Sequence, residues 1–265
     1  MTGFVDRYGP WAVVAGASEG IGASFSRKLA ARGLNLVLVA RRTAPLEDLA
    51  AELRERHGVE AKVLPLDLGS PDVVAGMSAA TGDLDIGLLI YNAAYSPIGP
   101  FLEIDVEEHL KAVDINVHGP LRLSHYFGRR LVERGKGGII LVSSMSGFQG
   151  TAMIGNYAAT KAYDTVFAEG LWYELRRHGV DVLACVAGAT LTPSYESTID
   201  RIPTSGLARP MQPDDVTEQA LVDLGQRPVG ISGRRNRLAS TLLGRILPRR
   251  AAVEIICKET ERLFG

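Results

Sequence analysis

The chain has 265 residues, 46% of them hydrophobic and 22% charged, and its formal net charge is −1. This length suits one α/β domain over residues 1–265, and the balanced charge gives no electrostatic reason to expect a nucleic-acid partner. The first ten residues lack a basic start followed by an apolar run. No uncharged stretch approaches the roughly 18 residues that span a bilayer, so we expect neither a secretory leader nor a membrane segment. The two cysteines, Cys185 and Cys257, lie far apart in apolar stretches, which favours a reducing, cytoplasmic location over a disulfide framework.

Short apolar runs rich in β-branched residues alternate with longer helical patterns, as is typical of parallel strands buried on both faces. The predicted strands are residues 11–15, 35–40, 62–66, 86–91, 138–142, 181–186 and a short 229–231. The predicted helices between them are residues 21–32, 45–57, 71–81, 106–134 and 155–178. Each helix is long enough to return the chain to a parallel strand. The pattern predicts a single-domain, Rossmann-type, doubly wound parallel sheet of about seven strands with helices on both faces.

Turn residues punctuate these elements. Ser70 and Pro71 look like an N-cap and a first helical position, while Gly33, Gly58 and Gly179 follow helices where a left-handed cap is favourable. After Val186 the alternation stops, and several prolines predict a substrate loop at about 188–213. A helix is expected from about Asp214. A C-terminal helical extension at about 233–265 is expected to hold segments 238–246 and 251–264.

A glycine-rich turn follows the first strand and opens the first long helix. Such a turn lets the backbone approach a pyrophosphate closely, and the helix N-terminus offers free N–H groups and a favourable dipole. The alternative is an ordinary tight turn, because a lone glycine triplet is a weak pattern. The candidate cofactor-binding residues in the turn are Gly16, Ser18, Glu19, Gly20, Ile21 and Gly22.

Two arginines, Arg41 and Arg42, follow the second strand, where a site selective for NAD would place a carboxylate for the ribose 2′-hydroxyl. An arginine can instead pair with the 2′-phosphate of NADP through charge-assisted hydrogen bonds. The arginines therefore favour NADP(H) over NAD(H). The alternative is a solvated pair of arginines at a helix start.

The strongest chemical pattern is a serine pair, Ser143 and Ser144, followed by Tyr157 and Lys161 in the next helix. The four-residue spacing puts Tyr157 and Lys161 on one helix face. A free phenol ionises near ~10, so a nearby ammonium helps it to exchange a proton with a carbonyl oxygen near neutral pH. Adjacent serines on a strand point to opposite sides. Taken alone, a tyrosine and a lysine at this spacing often do no more than stabilise a helix surface.

In order and spacing, these motifs resemble the short-chain dehydrogenase/reductase family over the whole chain. The resemblance selects Ser144 over Ser143 and implies catalysis by Ser144, Tyr157, Lys161 and Asn116. In this family Lys161 would also hold the nicotinamide ribose, and Asn116 would anchor a water that relays protons to Lys161. The resemblance implies further cofactor contacts, namely Asp67 and Leu68 at the adenine, Asn92 and Ala93 after the fourth strand, and Gly188, Thr190 and Thr192 at the nicotinamide.

The resemblance implies an NADP(H)-dependent reductase of ketones, ketoacyl or steroid-like substrates, or a hydroxy dehydrogenase of the same small molecules. Four residues of this sequence differ from those usual in the family motifs, namely Ala15, Tyr91, Ala94 and Ala187. These changes leave room for a catalytically silent, dinucleotide-binding regulatory protein. The helical patterns at 106–134 and 155–178 resemble those that pair across a two-fold axis in this family, so a homodimer or homotetramer is expected.

Other features are given no catalytic role. The histidines show no ligand spacing with cysteines or acids, so no metal is expected. Tyr95, Phe148, Met153 and Tyr195 are expected near the pocket, where simple packing is the commoner role for such residues. Seven arginines and no acids lie between Asp223 and Glu254. This basic segment could meet an acidic lipid surface, a carrier-linked substrate or another subunit, although a solvated basic face is the commoner case.

Overall fold

A computed structural model of the chain describes residues 2–199, 202–204, 209–242 and 246–264. Seven parallel strands form one sheet in the order β3-β2-β1-β4-β5-β6-β7. The strands are β1 Trp11–Ala15, β2 Asn35–Ala40, β3 Ala61–Pro65, β4 Ile86–Tyr91, β5 Gly137–Ser144, β6 Val180–Ala187 and β7 Val229–Ile231. The predicted doubly wound sheet is confirmed.

Helices cover both faces of this sheet. They are α1 Thr2–Tyr8, α2 Gly20–Ala30, α3 Thr43–His57, α4 Val73–Thr81, α5 Val106–Val113, α6 Gly119–Arg134, α7 Gly155–Leu175, α8 Pro193–Glu196, α9 Pro213–Asp223, α10 Arg234–Thr241 and α11 Arg249–Phe264. Successive residues of a strand point to opposite faces. Val14 accordingly belongs to one buried cluster and its neighbour Val13 to the other. Among the described residues, no helix is long and apolar enough to cross a membrane.

The strand order reverses between β1 and β4, and this positions the site. The main-chain N–H groups of Asn92 and Ala93 both donate to the carbonyl of Ala15, at 2.8 Å and 3.0 Å, and join the carboxyl ends of the two strands. Parallel sheets bind ligands in the crevice outside such a reversal. The predicted glycine turn and the residues after β4, β5 and β6 all open onto this crevice.

Two local details differ from the prediction. The segment predicted as a helix at 106–134 is helical throughout, but it contains a π-helical turn, Asp114–His118, between α5 and α6. Ser70 does not cap α4, which begins at Val73 with Asp72 at the N-cap. Instead, the Ser70 hydroxyl accepts from the N–H of Asp72 at 3.1 Å and forms a turn before the helix. The left-handed glycines are confirmed, with φ of +88° at Gly33, +66° at Gly58 and +76° at Gly179.

The ends of the chain also differ from the prediction. Helix α1 was not predicted, and it is held to the body by the Tyr8 hydroxyl, which donates to Asp181 at 2.6 Å. Helix α10 begins four residues earlier than the predicted segment 238–246, whose residues 243–245 lie outside the described ones. In the loop at 188–213, a main-chain bridge joins Thr190 to Met211, while residues 200, 201 and 205–208 lie outside the description.

Candidate active site

The glycine turn after β1 packs tightly against the start of α2. Gly16 has φ +86°, a conformation that side chains rarely adopt, and a Cβ there would lie 2.6 Å from the Ala93 nitrogen. A Cβ at Gly22 would collide with the Gly16 carbonyl and lie 2.8 Å from the Asn92 amide nitrogen. That amide donates to the Gly16 carbonyl at 2.9 Å and closes the turn. The backbone is therefore bare at the point where a pyrophosphate approaches a helix N-terminus.

The arginines after β2 lie beside this turn. Both Arg41 and Arg42 are exposed, and both line the cavity onto which the glycine turn opens. Arg42 forms an ion pair with Glu19 across the mouth of the turn. Asp67, after β3, accepts from the N–H of Gly69 at 3.0 Å and lines the same cavity.

The two serines at the end of β5 have different environments. Ser143 is buried, and its hydroxyl donates to the Lys161 carbonyl at 2.6 Å, which ties β5 to α7. Ser144 lines the cavity with Tyr157, and its hydroxyl accepts from the Ser146 hydroxyl at 2.9 Å. Both serines border the cavity, but the buried Ser143 hydroxyl is bonded to α7, so Ser144 is the serine that can meet a ligand.

Lys161 lies one turn after Tyr157 on α7, and its Nζ lies 5.8 Å from the centroid of the tyrosine ring. The lysine is buried, and Nζ donates to the Val142 carbonyl at 2.8 Å and to Asp164 at 2.9 Å. Burial alone would lower the pKa of Lys161, but the charges of Asp164 and Tyr157 outweigh it and raise that pKa above its usual value. A cation is therefore held beside the phenol, as proton exchange near neutral pH requires.

Asn116 lies in the π-helical turn and is fully buried. Its side-chain amide donates to the Tyr95 carbonyl at 2.8 Å and to the Thr160 hydroxyl at 3.0 Å, while its oxygen accepts from the Tyr95 N–H at 2.8 Å. The side chain is thus engaged in fixing the segment after β4. Asn116 does not line the cavity.

Two residues after β6, Gly188 and Thr192, also border the cavity. Thr192 caps α8 by accepting from the Tyr195 N–H at 3.1 Å. Its methyl group would lie 2.8 Å from a Cβ at Gly20, so the cap also touches the turn. A Cβ at Gly188 would likewise lie too close to the side chain of Asn236, so this side chain covers Gly188.

Tyr91 replaces a residue of the family motif, and the structure gives it a packing role. Its hydroxyl donates to the Ile115 carbonyl at 2.5 Å, inside the π-helical turn. A Cβ at Gly119 would collide with the same hydroxyl, so the two positions fit together. The change at Tyr91 therefore supports the turn that carries Asn116.

These residues surround one cavity of about 1200 Å³. It is lined by every predicted catalytic and cofactor-binding residue except Gly22 and Asn116. Tyr95 and Tyr195 also line it, as expected, whereas Phe148 and Met153 are not part of the lining. Helix α11 adds an apolar part that was not predicted, formed by Ile255, Ile256, Leu263 and Phe264.

Two further residues of the site region were not singled out in the sequence. Asn236 reaches the cavity from α10, with no local motif that marks it. Asp164 is different, because it lies three residues after Lys161, a spacing that places both on one helix face. Among the described residues, no group of three or more histidines, cysteines, aspartates or glutamates could hold a metal ion.

The basic segment is largely engaged in intramolecular contacts. Arg227 pairs with Asp223, and Arg250 with Glu254. Arg249 donates to the Phe148 carbonyl at 2.6 Å and joins α11 to the loop after β5. Arg245 lies outside the described residues.

Known proteins resemble this chain in both sequence and structure. Residues 10–202 match the family model described as short chain dehydrogenase. The 7β-hydroxysteroid dehydrogenase of Clostridium sardiniense is 35% identical over 234 residues, covering 88% of this chain and 89% of that protein. A structure solved in a study of 7β-hydroxysteroid dehydrogenase stereoselectivity matches with a TM-score of 0.89 at 32% identity, covering 96% of this chain and 98% of that one. A short-chain dehydrogenase from Sphingobium yanoikuyae, in complex with NADPH, matches with a TM-score of 0.74 at 32% identity, covering 84% and 87%.

The chain belongs to the short chain dehydrogenase family. It is an oxidoreductase that transfers a hydride between a nicotinamide dinucleotide and a carbonyl or secondary alcohol. The similarity to dehydrogenases spans most of the chain and supports catalysis over the alternative of a silent regulatory protein.

Proposed function

We propose that this enzyme is an NADP(H)-dependent carbonyl reductase or hydroxy dehydrogenase of bulky, apolar substrates such as steroids. The observation that best supports this proposal is the set of residues that share one cavity. Ser144, Tyr157 and Lys161 share a cavity of about 1200 Å³ with the glycine turn, and one of its walls contains the apolar residues Ile255, Ile256, Leu263 and Phe264 of α11. Ligand sites of this kind combine apolar walls with a few polar groups that orient the reacting atoms.

The cofactor fits this site because the tightly packed glycine turn carries no side chain at Gly16 and Gly20 and presents bare backbone at the N-terminus of α2, where a pyrophosphate would lie. When bound, a nicotinamide dinucleotide supplies or accepts the hydride. In reduction, Tyr157 gives its proton to the carbonyl oxygen as negative charge develops there, and Ser144 donates a hydrogen bond to the same oxygen. Lys161 stabilises the phenolate that remains. Oxidation uses the same groups in reverse.

We place the remaining predicted residues by the same reasoning. The main chain at Gly16, Ser18, Glu19, Gly20 and Ile21 would hold the pyrophosphate, with Asp67 and Leu68 at the adenine, and Asn92 and Ala93 beside it. Gly188, Thr190 and Thr192, in the proposed substrate loop at 188–213, would contact the nicotinamide. The water relay through Asn116 stays a proposal, since its side chain is already bonded to Tyr95 and Thr160.

NADPH should bind more tightly than NADH, because exposed Arg41 and Arg42 can pair with a 2′-phosphate. Arg41→Asp should weaken NADPH binding by about tenfold to a hundredfold, the equivalent of one charged hydrogen bond of ~1.5–3 kcal/mol. The affinity for NADH should be unchanged or improved. Fluorescence titration of both nucleotides measures this.

Arg129→Asp is the matched control, because Arg129 is an exposed arginine on α6 and does not line the cavity. This variant should bind both nucleotides as the wild type does. Equal affinity of the wild type for NADPH and NADH would contradict the proposed preference. Absence of binding by either nucleotide would contradict the proposed cofactor site.

A ketone with a bulky ring system should be a better substrate than a small ketone, because only the bulky one contacts the apolar residues of α11. We expect kcat/KM for a 7-oxosteroid to exceed that for cyclohexanone. Ile256→Asp should remove this advantage and leave the activity toward cyclohexanone. The measurement is NADPH consumption in the presence of each ketone. Equal kcat/KM for the two ketones would refute a steroid-sized substrate.

We also propose a homodimer or homotetramer in the cytoplasm. Large apolar side chains are exposed on the face formed by α5, α6 and α7, namely Val106, Leu110, Leu121, Val166 and Tyr173. Exposed apolar patches of this kind mark interaction surfaces. Light scattering should show more than one copy, and Val166→Asp should shift the protein toward monomer. A monomeric wild type at assay concentration would refute the proposal.

A further inference from the structure

Asp164 forms a buried ion pair with the lysine of the active site. Its Oδ2 accepts from Lys161 Nζ at 2.9 Å, and both side chains are only 3% exposed. Tyr157, Lys161 and Asp164 lie at positions i, i+4 and i+7 of α7, which places them along one face of the helix. The Asp164 carboxylate therefore lies on the same helix face as Tyr157, the proton donor. Lys161 lies between the two along the helix.

Burying a carboxylate is costly unless it is paired and hydrogen-bonded. Oδ1 of Asp164 is buried and has no hydrogen-bond partner among the described residues. The bond to Lys161 is thus the interaction that compensates this carboxylate. An apolar side chain of similar size could fill the same space without the cost of burying a charge. The presence of a carboxylate at this position is therefore best explained by its effect on Lys161.

We propose that Asp164 is a positioning residue that holds the Lys161 ammonium charged and fixed for its work beside Tyr157. The proposal rests on the proposed function, in which Lys161 must carry a positive charge. Two contacts fix Nζ, one from Asp164 on α7 and one from the Val142 carbonyl on β5. Without the carboxylate, a buried ammonium would keep only a neutral acceptor.

Few other charges act on this pair. The groups whose charges act on Lys161 are Asp164 and Tyr157. The Asp164 charge also reaches Tyr91, which faces it from β4, and Tyr163 on α7. Asp67, after β3, acts on Tyr91 as well. Asp164 is therefore the carboxylate that is bonded to Lys161 and raises its pKa.

The sign of the expected effect follows from simple electrostatics. A negative charge makes it harder for neighbouring groups to lose a proton. Removing the charge of Asp164 therefore lowers the pKa of Lys161. In the proposed function, ketone reduction needs Lys161 in its charged form. The fall in reduction rate at alkaline pH should thus occur at lower pH in a variant without this charge.

The experiment is the pH profile of kcat/KM for NADPH-dependent ketone reduction, in the wild type and Asp164→Asn. We expect the alkaline limb of Asp164→Asn to lie about one to three pH units lower, the range for loss of an opposite charge at this distance. Asp164→Ser, which removes the charge with a smaller side chain, should give the same shift. Asp164→Glu should restore most of the wild-type profile. Coincident alkaline limbs in the wild type and the charge-removing variants would overturn the proposal.

Tyr163→Phe is the matched control, because Tyr163 is adjacent to Asp164 and its ring stacks on Phe167, a contact that phenylalanine keeps. This variant should leave the pH profile unchanged. If it shifted the profile as much as Asp164→Asn, the effect would belong to packing of α7 and the proposal would fail.

A second measurement needs no turnover. The ¹³Cε resonance of Lys161, assigned with Lys161→Met in protein carrying labelled lysine, reports its protonation directly. It should titrate at lower pH in Asp164→Asn than in the wild type, and identical titrations would overturn the proposal. If the wild type reduced no ketone but this shift were present, the proposed function would fail while the role of Asp164 stood.

Discussion

Tyr157→Phe is expected to reduce kcat for ketone reduction by about 10²–10⁴-fold, the usual contribution of a positioned general acid. The phenylalanine ring fills the same space beside Lys161, but it has no proton to give to the alkoxide that forms. Affinity for NADPH should change little, because the phosphates are held by the glycine turn on the other side of the crevice. Steady-state assays of NADPH consumption and fluorescence titration of NADPH measure the two effects separately.

Tyr173→Phe is the control for this change. It lies on the same helix, its side chain is 64% exposed, and its ring contact with Arg176 is one that phenylalanine can make. It should retain wild-type kcat. Turnover by Tyr157→Phe at the wild-type rate would show that another group supplies the proton, and the assignment of Tyr157 would have to be abandoned.

Gly22→Ala is expected to be the most damaging single change in the cofactor turn. A Cβ there would collide with the Gly16 carbonyl of the turn and crowd the Asn92 amide, which closes the turn from the end of β4. Overpacking typically costs ~1–3 kcal/mol or more. The displaced turn should bind the phosphates less well, and the affinity for NADPH should fall by about tenfold or more. A tenfold fall corresponds to a loss of about 1.4 kcal/mol in binding free energy. Nucleotide titration and thermal unfolding measure the two losses.

Gly128→Ala provides the matched comparison, because it changes a glycine to alanine inside α6, where nothing lies within 4 Å of the added Cβ. There the lower backbone entropy of alanine should leave the melting temperature unchanged or slightly raised. If Gly22→Ala bound NADPH with wild-type affinity, the close packing of α2 against the turn would have no role in cofactor binding.

The sheet could be predicted because its central strands, such as β1 and β4, are buried on both faces and therefore read as continuous apolar runs. The bounds of β1, β2, β4 and β7 match the predicted ones, and those of β3, β5 and β6 differ by one or two residues. The π-helical turn at Asp114–His118 could not be predicted, because one inserted residue leaves the helical pattern of polar and apolar positions nearly unchanged. The turn is accompanied by a contact across the fold, the hydrogen bond from Tyr91 to Ile115, which no local pattern encodes.

The candidate site was predictable to a similar extent and for related reasons. The glycine turn, Ser144, Tyr157 and Lys161 belong to short local motifs, and the residues after the strands follow from the topology of a parallel sheet. The wall formed by α11 depends on contacts between distant parts of the chain, such as that of Arg249 with Phe148, 101 residues away. No local pattern encodes such a contact. The ion pair of Asp164 with Lys161 was visible in the spacing, but its burial was not.

The two sides of the cavity come from different parts of the chain. The cavity residues of the glycine turn and of the segments directly after β2, β3 and β4 precede position 99, whereas the apolar residues contributed by α11 follow position 249. The nucleotide side and the proposed substrate side of the cavity are thus encoded by opposite ends of the sequence. In a lineage with this architecture, substitutions on the inner face of α11 are expected to change the choice of substrate more than the nucleotide contacts.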